Sequence, residues 1–210
     1  MKLKLFFVGL CLILVSCASH VKYKGVENGD LLFVTAQQEG LSGAINNVTQ
    51  KEERANFDHI GLVEKAGKDY FVLHAAPRGG SQRQAMSDFV KEQKQKGQHI
   101  VVYRLKNPFQ KSIPYAIKQA NSLVGKPYNF DYILSENAYY CSDFIERSFR
   151  KDDIFKLEPM TFVDPKTGVT NVFWKDFYQK KNLEVPEGKL GCNPNGLAAS
   201  EKLERIKVLD

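Results

Sequence analysis

The sequence predicts an α+β fold, on three observations. Short β-rich runs recur through the first two thirds of the chain: Leu31 to Val34, Ile60 to Lys65, Tyr70 to Ala76, and HIVVYRL at 99–105. Two of them are joined by only Ala-Gly-Lys-Asp, a hairpin connection. Stretches with helical spacing stand among them, in MSDFVKEQKQKG, PYAIKQANSLVG and the segment that starts at Cys141.

Taken in order, the chain opens with MKLKLFFVGLCLILVSCASH, in which Lys2 and Lys4 precede an apolar run from Leu5 to Val15. That run is too short to span a bilayer and reads as an export signal. It ends in Leu14-Val15-Ser16-Cys17, which looks like a bacterial lipobox, with Cys17 as the lipidated residue. An ordinary signal peptide cut near Ala18, or a short anchor, is the alternative. Residues 1–16 are thus expected to be a lipoprotein signal peptide, 17–26 a tether, and 27–210 one domain. Ala18 after the cysteine resembles outer-membrane sorting, which places the domain in the cell envelope, facing the periplasm.

After the tether, a Gly-Asp turn leads into the strand at 31–34, and AQQEGLSGAINNVTQKEERANF reads as a polar loop with a helical turn. The hairpin follows. MSDFVKEQKQKG reads as a surface helix ending near Gly97, and PYAIKQANSLVG as a helix with Pro at its start and Gly125 at its stop. GKPYNFDYILS is turn and loop. The Cys141 helix runs to about Lys151 with Phe144, Ile145 and Phe149 on one stripe, and the remainder mixes turns with short strands or a helix.

Composition excludes several classes of function. A chain of 210 residues with 43% hydrophobic content can bury one sizeable core, and no repeat or low-complexity tract is present. The formal charge of +6 falls to +4 once Lys2 and Lys4 leave with the signal. Lys and Arg are scattered, without an aromatic-interleaved basic patch, so no nucleic-acid partner is expected. Of four cysteines, Cys11 leaves with the signal and Cys17 is lipidated, so Cys141 and Cys192 remain and can be free or paired in a disulfide.

The chemistry concentrates in two places. If Lys65 pairs with Tyr70, paired positions place Gly61 opposite His74 and His59 opposite Ala76. His59 and His74 then share a face as a diagonal pair, with Cβ atoms roughly 7 Å apart or less and no side chain at Gly61 between them. Glu64 falls on the other face. A slip by one residue would put His74 with Glu64 instead. The second place is Cys141, at the first turn of its helix, where unsatisfied N–H groups favour thiolate and lower its pKa. Cys141 as nucleophile, His59 as base and His74 as orienter make up a catalytic set, and the Cys141 N–H can help hold an oxyanion.

NGDLLFV, FDHIGLVEK, FVLHAAPRGG, GKPYNFDYIL and YYCSDFIERSF occur in an order that resembles the YiiX-like permuted papain-fold amidases, relatives of the NlpC-type cell-wall peptidases. The likeness covers about residues 27–210. It implies a circularly permuted papain-like fold, with an antiparallel sheet or barrel packed against helices including the cysteine helix. It also implies Cys141 as nucleophile, His59 as base and the polar residue of the next strand as orienter. Some members carry Glu in that third place, so His74 and Glu64 both stand as candidates. Tyr128 and Tyr140 either line the substrate pocket or donate to the oxyanion, or else serve only as aromatic core.

The resulting expectation is a lipid-anchored cysteine hydrolase that needs no cofactor or metal and cleaves an amide, or an ester, through an acyl-enzyme. Its expected substrate is an N-acyl amino acid or a lipid-linked amide. A cell-wall endopeptidase of NlpC type is the alternative. A non-catalytic binding module with a Cys141–Cys192 disulfide, and zinc held by His59, His74 and Cys141, are the other readings.

Overall fold

The computed structural model describes residues 23–49 and 56–209. The signal-like segment, Cys17 and its lipobox lie outside the described residues. Tyr23 and Val26, at the end of the stretch read as tether, pack on the sheet: Val26 is buried and the Tyr23 ring meets Tyr70 edge-on.

A six-stranded antiparallel sheet organises the molecule. In chain order the elements are β1 (Leu31–Thr35), α1 (Gly40–Thr49), β2 (Phe57–Ala66), β3 (Asp69–Ala76), β4 (Gly80–Ala85), α2 (Met86–Gln95), β5 (Ile100–Leu105), α3 (Ile113–Ser122) and α4 (Cys141–Phe149). The two-residue strands β6 (Glu158–Pro159) and β7 (Leu190–Gly191) pair with each other, and α5 (Val172–Gln179), α6 (Pro194–Ala198) and β8 (Leu203–Leu209) complete the chain. The order across the large sheet is β4-β3-β2-β1-β5-β8.

The sheet divides the core into two. Leu31, Phe33, Ile60, Leu62, Leu73 and Ala75 face a large cluster that contains Phe144, Ile145 and Phe149 of α4. Leu32, Val34, Val63, Val72, Ile100 and Val102 face a smaller cluster under Met86, Phe89 and Val90 of α2. Alternating residues of each strand serve opposite faces, as the period of two requires. Fully burying each of the three α4 side chains is worth roughly 2 kcal/mol against leaving it in water.

The β2–β3 hairpin forms in the expected register, with Lys65 opposite Tyr70, and closes over two residues at Gly67, whose φ of 63° suits glycine. One expectation is revised, and two strands are added to those the sequence marked. The polar stretch after β1 is a ten-residue helix, α1, rather than a loop with one turn. GSQRQA, left unassigned from its sequence, is β4, a third meander strand. The charged C-terminal stretch contains β8, whose side chains are largely exposed because it is an edge strand.

Candidate active site

The histidine pair is built by β2 and β3. His59 Nε2 and His74 Nδ1 lie 2.9 Å apart, with the two rings edge-on. A Cβ at Gly61 would collide with Val72 and come within 3.5 Å of the His74 Cβ, so glycine there leaves the pair its space. On the next strand, Gln84 Oε1 is 3.0 Å from His74 Nε2. Phe89 of α2 covers both rings. Burial drives both imidazoles toward the neutral form: His59 sits well below its ordinary pKa, by burial and then by His74 and Lys96, and His74 is lowered to about 4. Glu64 lies away from this pair, bound to Arg83 and accepting from Asn121 Nδ2 at 3.1 Å. The pair of imidazoles is therefore completed by Gln84 rather than by Glu64.

Cys141 lies against the edge of β2 that β3 leaves unpaired. Helix α4 begins after Tyr140, whose backbone is extended, and no side chain caps its first turn. The N–H groups of Cys141 and Ser142 therefore face the sulfur, joined by the N–H of Ile60 from β2. The sulfur also lies 3.8 Å from the Asp58 carbonyl oxygen. Its neighbours on β2 are thus the backbone groups on either side of His59. They are free for it because pairing of β2 with β3 begins only at Leu62 and Leu73. The thiol does not hydrogen-bond to His59 among the described residues, and the imidazole is directed to the α2 face.

The expected fall in thiol pKa is reversed. Burial and then the Asp58 carboxylate push Cys141 up to about 12, and the three N–H groups only partly counter them. Loss of hydration outweighs a helix N-terminus when the sulfur is buried this deeply. Burial thus favours the neutral forms of the thiol and of both imidazoles.

A cavity of about 890 Å³ opens at the sulfur. Ile45, Val48, Phe109, Phe155, Phe162 and Trp174 supply apolar wall, while Lys156, Glu158, Glu201 and Lys202 supply charge. Both tyrosines singled out from the sequence, Tyr128 and Tyr140, line it. The Tyr128 phenol is driven strongly toward its neutral form, first by burial and then by the neighbouring Cys141. Tyr140 Oη accepts from the Cys192 N–H at 3.3 Å. The loop bearing Tyr128 is fastened to β4, where Ser81 N–H donates to the Lys126 carbonyl and Ser81 Oγ to the Leu123 carbonyl. Cys192 lines the same cavity, and both it and Cys141 are free thiols.

Asp58 and Gln84 are the polar residues at this site that sequence reasoning missed. The Asp58 carboxylate borders the cavity and is held by the Ser42 hydroxyl and by Gln98 Nε2. Its signal was its place beside His59 with opposite parity. Gln84 needed β4 to be recognised first. As for zinc, no group of three or more His, Cys, Asp or Glu side chains among the described residues is arranged to hold a metal ion.

Comparison with known proteins agrees with this architecture. The crystal structure of the metalloprotein YiiX from Escherichia coli O157:H7 superimposes with a TM-score of 0.67 at 19% identity, over 86% of this chain and 96% of that one. At that identity it establishes a shared fold. No curated protein matches the chain. The profile of the permuted papain-like amidases, the YaeF/YiiX or C92 family, matches residues 25–207, so the chain belongs to that family of papain-like cysteine amidases.

Proposed function

We propose that this amidase uses Cys141 as its nucleophile, His59 as base and then acid, and His74 to orient His59. The substrate is an N-acyl amino acid or a lipid-linked amide whose acyl portion occupies the cavity. One observation carries this reading: the Cys141 sulfur borders an 890 Å³ cavity while resting on the backbone on either side of His59. With Nε2 engaged by His74, Nδ1 is the His59 nitrogen left to serve the thiol.

The chemistry follows from these positions. The thiol proton passes to His59 Nδ1 as the sulfur attacks the substrate carbonyl carbon. The resulting oxyanion is met by N–H groups at the start of α4. His59 returns the proton to the leaving nitrogen, the C–N bond breaks, and a thioester remains. Water, losing a proton to His59, attacks that thioester and releases the acid and the thiol. Because the resting thiol is neutral, its proton leaves only as the sulfur–carbon bond forms. The imidazole and the sulfur have to close on each other for that transfer, and hydrogen bonds of this kind commonly tighten only when substrate binds.

The lipobox at Cys17 supports tethering to a membrane in the cell envelope, where acylated amides are at hand. Radiolabelled palmitate should mark the wild-type chain and leave Cys17→Ala unmarked. For the chemistry, Cys141→Ala should abolish both turnover and labelling by a thiol-reactive acyl probe, while Cys192→Ala leaves both nearly intact. Equal labelling of the two thiols would count against the assignment. Hydrolysis of N-acyl amino acids of graded chain length, measured beside cell-wall peptides, separates the proposed substrate from the NlpC-type alternative.

A further inference from the structure

The histidine pair does not end at His74. Gln84 lies on β4, where His74 is directly opposite Gln82 and Val72 opposite Gln84, so Gln84 is diagonal to His74 on the same face. Its Oε1 is 3.0 Å from His74 Nε2. The Gln82 amide turns elsewhere, donating to the Arg78 carbonyl at 2.9 Å.

We propose that Gln84 is a positioning residue that fixes the tautomers of both histidines by accepting a hydrogen bond from His74. This rests on the reading of His59 as base and extends it. A neutral imidazole carries one proton, and an amide oxygen can only accept. With Gln84 Oε1 as acceptor, the His74 proton is on Nε2 and its Nδ1 carries the lone pair. His59 must then donate from Nε2 across the 2.9 Å contact, which leaves its Nδ1 unprotonated. A base needs that lone pair. The opposite polarity, with the Gln84 amide donating, would put a proton on His59 Nδ1 and make it useless for taking one from a thiol. One amide on the third strand thus decides the protonation of a nitrogen two hydrogen bonds away.

The surroundings leave this control to Gln84. Around His74, α2 contributes Phe89 as an apolar cover and Glu92 as a negative charge, Lys96 follows α2 with a positive one, and β2 contributes His59. Neither Glu92 nor Lys96 forms a hydrogen bond with either ring among the described residues.

Long-range 15N–1H NMR of imidazole-labelled full-length protein at neutral pH tests this, with His59→Gln used to assign the signals. Both rings in the wild type should be Nε2–H tautomers. Gln84→Leu should give mixed tautomers and lower kcat by about tenfold or more, with KM little changed. Gln84→Glu keeps an acceptor, so it should retain the wild-type tautomers while its charge moves the acid limb of the kcat/KM profile to higher pH. A His74 Nδ1–H tautomer in the wild type, or tautomers and kcat unchanged in Gln84→Leu, would overturn the proposal. Should the tautomers follow Gln84 while His59→Ala leaves turnover untouched, it is the base assignment that fails, and Gln84's catalytic consequence with it.

Discussion

The α2 side and the α4 side of the site differ in how their chemistry is assembled. On the α2 side, His59, His74 and Gln84 come from three successive strands of one meander and meet because each lies on the correct parity. On the α4 side, the sulfur of Cys141 meets Asp58, and the cavity beyond it draws on α1, the loop around Tyr128 and the segments on either side of α5 and α6. The first arrangement is local. The second depends on packing between distant parts of the chain. The difference teaches that the proposed base can be held by neighbouring strands and the helix that covers them, whereas the reactivity of the proposed nucleophile depends on how deeply the start of α4 is buried.

Substitutions can break that contrast. Among the strand residues the largest effect is expected at the proposed base: His59→Ala should lower kcat/KM by about a thousandfold or more, and His74→Ala by one to two orders of magnitude less, because its proposed role is to orient rather than transfer. Steady-state kinetics on the two variants checks the order, and equal losses would make the pair a single unit rather than base and orienter. Next comes Gly61→Ala, whose methyl group meets Val72 and crowds His74. It should destabilise the protein by about 1–3 kcal/mol, read from thermal or urea unfolding, and reduce turnover with it.

The pH dependence sharpens the same contrast. His74 titrates at about 4 in the fold and near its ordinary 6.5 when unfolded, so the unfolded chain takes up its proton first. Stability should be full above pH 6.5 and fall as the pH drops from there through 4, with His74 alone accounting for on the order of 3 kcal/mol at full protonation. Urea unfolding across that range should depend less on pH in His74→Gln, with His59 keeping its own share. The acid limb of kcat/KM should lie below 6.5, since neutral His59 persists to lower pH than a free imidazole would. On the sulfur side, alkylation of Cys141 in His59→Ala should be slower at neutral pH than that of an exposed cysteine and accelerate as the pH rises, because burial favours the neutral thiol.

The smallest effect is expected at the cavity wall. Tyr128→Phe keeps the ring against Phe130 and should cost less than about tenfold in kcat/KM. A loss of a hundredfold would make the phenol an oxyanion donor.

Much of the α2 side was legible. The alternation of β2 and β3, the short connection at 66–69 and the absence of a side chain at Gly61 were enough to pair His59 with His74 and to turn Glu64 away. The helix start at Cys141 was legible too, from the apolar spacing of Phe144, Ile145 and Phe149. Asp58 was not, because nothing local says that Ser42 and Gln98 will hold its carboxylate against a cavity. Gln84 was hidden by a strand made of Gly, Ser, Gln and Arg, which lacks the β-branched residues that mark strands.

Sequence alone determined what repeats along the backbone: which residues of a strand share a face, where a turn can reverse the chain, and which residue opens a helix. Covalent geometry imposes those periods regardless of what packs nearby. Only the tertiary structure decided that burial favours the neutral Cys141 thiol, that its sulfur rests on the backbone around His59, and that its cavity is walled by segments more than a hundred residues apart. Desolvation and cavity shape arise from the joint packing of those segments, which no single stretch of chain encodes.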